Sequence, residues 1–188
     1  MRLISIVILS LMLVGCSGDS QDVGEMHTCT PADSPPVSMG INGKDIIVTS
    51  AKVKGNAIVP PEKSVDRVVG WYEDSAMPNG CDDGSIVITS HINFGGVDGV
   101  GMDFSQLSMG DELSLTTADG NEHMYTVTHS MELVDKNSPD FVEKGSRTFN
   151  KVDGDEILVL VTCAGEFDPH SPLGYQSNGI IVLEPMVD

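Results

Sequence analysis

The sequence has few basic and few aromatic residues, and each shortage excludes a class of protein. Ten lysines and arginines face 28 aspartates and glutamates, which gives a formal net charge of −18 at pH 7. Because so acidic a chain repels phosphate groups, nucleic-acid binding and electrostatic attraction to anionic membranes are excluded. Aromatic residues make up only 5% of the chain, whereas it holds 20 glycines and 10 prolines. This composition favours a turn-rich β fold over a helical bundle.

The apolar run from Leu3 to Val14 is too short to span a bilayer as a helix. It follows a basic start and ends in Leu13-Val-Gly-Cys16, which is similar to the lipobox of bacterial lipoproteins. We therefore expect residues 1–15 to be a lipoprotein signal peptide and Cys16 to carry lipid after cleavage. The alternative is an ordinary secretory signal with a chance cysteine. Residues 16–36 are expected to be a flexible tether that anchors the protein to a bacterial membrane, in the cell envelope and outside the cytoplasm.

The remaining residues, 37–188, are enough for one domain with a core. Short β-branched runs alternate there with Gly, Asn and Asp turns, and seven or eight strands at this spacing predict a barrel or a sandwich. The runs are Asp45–Ser50, Arg67–Tyr72, Ser85–Ser90, Glu112–Thr117, His123–His129, Glu156–Thr162 and Gly179–Leu183. One or two short helices are also expected, over Asp103–Ser108 and Pro139–Lys144.

Four cysteines are present, and Cys163 is the candidate for chemistry. It ends the most apolar predicted strand, where a thiol can stay accessible; a buried structural thiol is the alternative. With Cys16 assigned to lipid, three cysteines remain in an oxidising compartment, so at least one is free or pairs with another chain. Cys29 and Cys81 are candidates for a disulfide.

A cysteine nucleophile needs a nearby base, and His91 is the best placed histidine. It ends a predicted strand and begins a glycine-rich loop. The strand would hold its backbone rigidly, and the loop would leave its side chain accessible to a substrate. Any single histidine can instead be an ordinary surface or hydrogen-bonded residue. The other histidines are His27, His123, His129 and His170.

Metal binding is not expected from this sequence. His123 and His129 share one face of a strand, but no further ligand is evident. The acidic runs Asp82-Asp83 and Asp153–Glu156 could bind calcium, but they lack EF-hand spacing and are interpreted as solvated turns. We expect no metal and no other cofactor.

Several segments together resemble the sortase family, over roughly residues 40–185. Leu160-Val-Thr-Cys163 is similar to the sortase nucleophile motif Thr-Leu-x-Thr-Cys, with Val159 in the place of the first Thr. Other matching segments are Val68–Tyr72, Pro78–Gly80 and Ser85–His91 before the cysteine, and Asp103–Leu107 with Gly110-Asp111 in the helix-then-strand region. Gly165–Asp168, Tyr175 and Asn178–Val182 resemble class E and F sortases.

The resemblance implies an all-β fold, a closed eight-stranded β-barrel with Cys163 and His91 on neighbouring strands. It also implies a cysteine transpeptidase that cleaves the sorting-signal peptide of an exported protein through a thioacyl intermediate. His91 would protonate the leaving amine and deprotonate the amine acceptor that resolves this intermediate. Thr162, beside the nucleophile, would contribute to substrate or oxyanion binding.

One position departs from the family's pattern. Sortases place an arginine on the last strand, where this chain has Gln176, and no Arg or Lys follows Lys151. An amide donates a hydrogen bond without a charge and is a weaker oxyanion partner. Arg67 and Arg147 are alternative candidates for the role. Two functions therefore stay open: an active transpeptidase, and a catalytically weak or inactive peptide-binding lipoprotein on the same barrel.

Overall fold

The structure, a computed structural model, describes residues 34–54, 57–79, 83–139, 141 and 154–186. These ranges contain eleven β-strands and the short helix α1 (Gly101–Phe104). The strands are β1 (Pro36–Ile41), β2 (Lys44–Lys54), β3 (Ala57–Val59), β4 (Val68–Tyr72), β5 (Asp83–Ser90), β6 (Asn93–Phe94), β7 (Val97–Asp98), β8 (Glu112–Thr117), β9 (Glu122–Asp135), β10 (Gly154–Phe167) and β11 (Tyr175–Pro185). No helix in these ranges is long and apolar enough to cross a membrane.

Eight of the strands form a closed ring. They follow one another in the order β1-β8-β9-β11-β10-β5-β4-β2, and β2 pairs back with β1. Strand β3 extends β2 outside the ring, and β6 and β7 form a separate hairpin. This arrangement confirms the predicted closed eight-stranded β-barrel.

Strand β10 pairs with β11 on one side and with β5 on the other. Its alternate side chains Leu158 and Leu160 belong to the barrel interior, whereas Val159 and Val161 belong to a second cluster on the outer face. We call this second cluster the outer cluster; its buried members are Val87, Val134, Val159, Val161 and Ile180. Burial on both faces explains why β10 is a continuous apolar run instead of an alternating one.

Several elements differ from the sequence prediction, and two of these differences lie next to the predicted site residues. Strand β10 runs past Cys163 to Phe167, so the cysteine lies within a strand and not at its end. The pairing with β11 shifts between Ala164 and Phe167, and Gly165 takes a φ of 79°, which absorbs the bend. Helix α1 spans Gly101–Phe104, so it starts and ends earlier than the predicted Asp103–Ser108, and the N–H of its first residue donates to the His91 carbonyl oxygen.

Several predictions fall outside the described residues. They are the signal peptide over residues 1–15, lipidation at Cys16, most of the tether, the Cys29–Cys81 disulfide and nearly all of the second helix over residues 139–144.

Candidate active site

The two residues predicted to carry the chemistry occupy corresponding positions on two neighbouring segments of the barrel. Strands β10 and β5 are parallel, and their register pairs Thr162 with Ser90, so Cys163 and His91 come next on the two chains. Because side chains alternate along a strand, Cys163 follows Val161 onto the outer face and His91 follows Val87 onto the same face. The Cys163 thiol is free and half-buried. The structure therefore brings the predicted nucleophile and base to one surface.

The imidazole of His91 is shielded from solvent. Phe94, in the β6–β7 hairpin, stacks on it with ring centroids 4.9 Å apart, and His91 Nε2 is buried without a hydrogen-bond partner among the described residues. Burial lowers the pKa of His91, and the Glu62 carboxylate and the Pro60 carbonyl oppose this shift. At neutral pH the imidazole is therefore mainly neutral and able to accept a proton.

The backbone of His91 is held by the chain that returns from the hairpin into α1. The Gly101 N–H donates to the His91 carbonyl oxygen at 3.0 Å and to Ser90 Oγ at 3.2 Å. A Cβ on Gly99 would lie 2.1 Å from the same carbonyl oxygen, and one on Gly101 would lie 2.7 Å from it. Glycine at both positions permits this close approach and fixes where β5 ends.

Thr162 points away from Cys163. It is only 2% exposed, and its Oγ1 has no hydrogen-bond partner in the described part of the chain. This oxygen faces α1, since a Cβ on Gly101 would lie 2.2 Å from it. The Thr162 side chain thus packs on the interior side of β10, and its predicted role in substrate or oxyanion binding stays a prediction.

Sequence reasoning missed the cation that approaches Cys163. Lys136 directly follows β9, and its Nζ donates to Cys163 Sγ at 3.6 Å and to the Tyr175 carbonyl oxygen at 2.8 Å. Its backbone N–H donates to the Gln176 carbonyl oxygen at 2.9 Å. Lys136 precedes the cysteine by 27 residues and reaches it across β11, so only the strand order reveals the contact.

Gln176 lies at the start of β11, near this lysine. Its Nε2 donates to the Gly174 carbonyl oxygen at 2.8 Å, and its Oε1 accepts from Asn137 Nδ2 at 3.2 Å. Neither of these bonds involves Cys163, and catalysis by Gln176 stays a prediction. Arg67 is exposed and bonds to Asp66, whereas Arg147 lies outside the described residues.

Three exposed apolar side chains lie on the segments that follow His91 and Cys163 in the chain. Phe94 is 43% exposed, Leu173 44% and Phe167 56%, and we call these three residues the apolar rim. Phe167 packs on Tyr175 with ring centroids 5.0 Å apart. The hydroxyl of Tyr175 accepts a hydrogen bond from Asn93 Nδ2 at 2.7 Å, which ties the β6–β7 hairpin to β11. The rim is an apolar surface that an extended peptide can cover.

The other histidines lie elsewhere in the fold. His123 and His129 are on β9, and His170 is exposed in the turn that follows β10. His27 lies outside the described residues. Within the described ranges, no group of three or more His, Cys, Asp or Glu side chains could hold a metal ion.

Comparison with known proteins identifies the family. The family model for the sortase domain matches residues 40–185. Three similar solved structures are sortase C1 from Streptococcus agalactiae in complex with MTSET, sortase C1 from Streptococcus suis and sortase C-1 from Actinomyces oris.

The three structures align over most of this chain. The Streptococcus agalactiae structure has 16% identity and a TM-score of 0.55, and the match covers 80% of this chain and 67% of that one. The corresponding values are 13%, 0.59, 82% and 74% for Streptococcus suis, and 16%, 0.58, 81% and 76% for Actinomyces oris. No curated protein matches the sequence. At these identities the structural likeness shows the fold, and the family model shows membership: the chain belongs to the sortase family.

Proposed function

We propose that this sortase is an active cysteine transpeptidase with Cys163 as nucleophile and His91 as general acid and base. The observation that carries the proposal is the parallel pairing of β10 with β5, which sets both side chains on one face at adjacent positions. Nucleophilic catalysis needs a base close to the nucleophile, and neighbouring positions on two paired strands support this arrangement.

The reaction proceeds in two halves. The neutral imidazole of His91 takes the thiol proton, and Cys163 Sγ attacks the scissile carbonyl carbon. The carbon–nitrogen bond then breaks, the leaving amine receives the proton from His91, and a thioester remains on Cys163. An incoming amine gives its proton to His91 and attacks the thioester, which forms the new amide and releases the Cys163 thiolate. His91 then returns this proton to the thiolate, which restores the neutral imidazole and the thiol.

The substrate is a sorting-signal peptide of an exported protein, and the acceptor is a primary amine. The apolar rim supports this choice, because apolar peptide side chains need an apolar surface beside the nucleophile. The segments at Gly165–Asp168 and Asn178–Val182 support a class E or F type.

Peptide cleavage tests the proposal. The protein is incubated with a library of peptides that carry a fluorophore and a quencher on opposite sides of a variable segment, with and without hydroxylamine as acceptor. We expect cleavage that hydroxylamine accelerates and a hydroxamate product. Cys163→Ala should abolish cleavage, and His91→Ala should cost nearly as much, because the two residues act as one unit. If Cys163→Ala cleaves as well as the wild type, or if peptides bind and are never cleaved, the transpeptidase proposal is wrong.

We further propose that the protein is a lipoprotein anchored through Cys16 and faces outside the cytoplasm. The apolar run that ends in Leu13-Val-Gly-Cys16 supports the anchor. The full chain, expressed in bacteria with a labelled fatty acid, should incorporate label, and Cys16→Ala should not. Equal labelling of the two proteins would refute the anchor.

A further inference from the structure

We propose that Lys136 is a catalytic residue of this site, and that it provides the positive charge that sortases otherwise take from an arginine on the last strand. The inference rests on the proposed transpeptidase function, because it assigns a role in that same reaction. It differs from the sequence expectation, which placed this role at Gln176, Arg67 or Arg147.

The contacts of the ammonium group leave one donor for the substrate. Two of the three N–H groups on Lys136 Nζ have partners, Cys163 Sγ at 3.6 Å and the Tyr175 carbonyl oxygen at 2.8 Å. The third has no acceptor among the described residues. Because Nζ lies 3.6 Å from Sγ, the oxygen of a carbonyl carbon bonded to Sγ is within reach of this N–H when it points toward Lys136. The same group can therefore stabilise negative charge on sulfur before attack and on oxygen after it.

Among the described residues, no carboxylate neutralises the charge of Lys136. In the part of the chain that the structure describes, the ion pairs are Lys44 with Asp103 and Arg67 with Asp66. Lys136 has no carboxylate within ion-pair distance there, although the whole chain carries 28 acidic residues. It is also half-buried, unlike the unpaired lysines Lys52, Lys54 and Lys63, which are exposed. A half-buried cation acts with less screening than an exposed one, so charge that develops beside Lys136 Nζ interacts with it more than it would at the surface.

The backbone holds the lysine in place. The Lys136 N–H donates to the Gln176 carbonyl oxygen, and the Asn137 N–H donates to Asp135 Oδ1 at 2.8 Å. These bonds fix the turn after β9 against β11, and the Tyr175 carbonyl oxygen then fixes the ammonium. Preorganisation of this kind makes an electrostatic contribution effective, since no group must reorient during the reaction.

The position also explains why β11 tolerates an uncharged residue. An arginine at 176 would stand beside Lys136, because the backbones of the two residues are hydrogen-bonded. Two cationic side chains on neighbouring residues of this kind repel each other. A site that uses Lys136 therefore favours a neutral residue such as Gln176 at position 176.

The test uses the full chain with Lys136→Met, Lys136→Gln and Lys136→Arg, and with Lys63→Met as a control of equal charge change. Two quantities are measured: kcat/KM on the best peptide of the library, and the rate at which iodoacetamide alkylates Cys163 at pH 6.5, followed by mass spectrometry. We expect Lys136→Met and Lys136→Gln to lose about 100-fold or more in kcat/KM and about fivefold or more in alkylation rate. Lys136→Arg should keep kcat/KM within about tenfold, and Lys63→Met should behave as the wild type.

A charge exchange gives the sharper result. Gln176→Arg alone should gain little, because the positive charge is already present. In Lys136→Met/Gln176→Arg the arginine restores a charge beside Cys163, and we expect at least tenfold recovery over Lys136→Met. Unchanged unfolding midpoints in urea separate these effects from misfolding, and Lys136→Gln serves where Lys136→Met does not fold.

The outcomes separate this inference from the proposed function. If peptides are cleaved but both neutral variants match the wild type in kcat/KM and alkylation, Lys136 has no catalytic role and the transpeptidase proposal stands. If no peptide is cleaved but the neutral variants slow alkylation, the transpeptidase proposal fails while the electrostatic link between Lys136 and Cys163 is confirmed. If Lys136→Arg is as inactive as Lys136→Met, the positive charge is not what the site uses and the inference is overturned.

Discussion

The phenyl ring of Phe94 stacks on the imidazole of His91, with planes inclined by 30° and centroids 4.9 Å apart. This contact covers the base from the solvent side, and burial is the main cause of the lowered pKa of His91. Phe94→Ala should therefore raise the pKa of His91 toward its ordinary value. An NMR titration of the His91 ring protons measures this change. Val97→Ala in the facing strand of the same hairpin is the control and should leave the pKa as it is; an equal pKa in wild type and Phe94→Ala would contradict the account.

The lowered pKa of His91 also makes stability depend on pH. In the unfolded chain His91 titrates near its ordinary value of 6.5, whereas the folded protein resists protonation below that pH. Above this value both states are neutral and the free energy of unfolding is unaffected. As the pH falls below it, the unfolded state takes up the proton first, so His91 makes the fold less stable. We expect the stability of the wild type relative to His91→Asn, measured by urea unfolding, to decline between pH 7.5 and pH 5; a constant difference would rule this out.

Thr162 allows a direct test of its predicted role. Its hydroxyl is buried without a partner among the described residues, so Thr162→Val removes an unsatisfied polar group and keeps the shape of the side chain. We expect the free energy of unfolding to stay the same or to rise by about 1 kcal/mol. If the hydroxyl also takes no part in the chemistry, kcat/KM should stay within about threefold. A large loss of activity in a stable variant would instead support the substrate or oxyanion role.

A buried polar pair at the other end of β10 concerns the fold and not the chemistry. Tyr125 donates from its hydroxyl to Glu156 Oε1 at 2.6 Å, and Glu156 is only 3% exposed. Tyr125→Phe should cost about 1–3 kcal/mol of unfolding free energy, because the carboxyl oxygen loses a donor. Glu156 and Cys163 are roughly 23 Å apart along the strand, at about 3.3 Å per residue. Activity below the unfolding transition should therefore be unchanged, and a loss of activity without a loss of stability would contradict this assignment.

Much of the barrel could be predicted from the sequence because its strands are short β-branched runs between turn residues. The predicted runs around Ile88 and Leu160 correspond to β5 and β10. His91 and Cys163 are the residues that directly follow these two runs in the sequence. Strands β1 and β3 and the β6–β7 hairpin were not predicted. Strand β1 starts with a proline beside the expected tether, which is not typical of a strand. The hairpin has only two residues in each strand around Gly95-Gly96, and so short a pattern predicts a loop.

The contact between Lys136 and Cys163 had no sequence signal for a different reason. Local patterns report which side chains share a face of one strand, but not which strands are neighbours. The lysine and the cysteine meet because β11 pairs with both β9 and β10, and that order depends on closure of the whole barrel. The resemblance implies an arginine on the last strand, β11. In the structure the cation is Lys136, which follows β9, the strand that pairs with β11 on the side away from β10.

The most direct test of the central claim is the mass of the protein after it reacts with a cleavable peptide in the absence of an added amine. If Cys163 and His91 work together as proposed, intact-mass spectrometry will show the wild type carrying the N-terminal fragment of the peptide, and digestion will map the adduct to Cys163. Hydroxylamine should remove the adduct, as it removes thioesters, and Cys163→Ala should never form it. Cleavage without any adduct in the wild type, or an adduct that persists in Cys163→Ala, would contradict a thioacyl mechanism at this site.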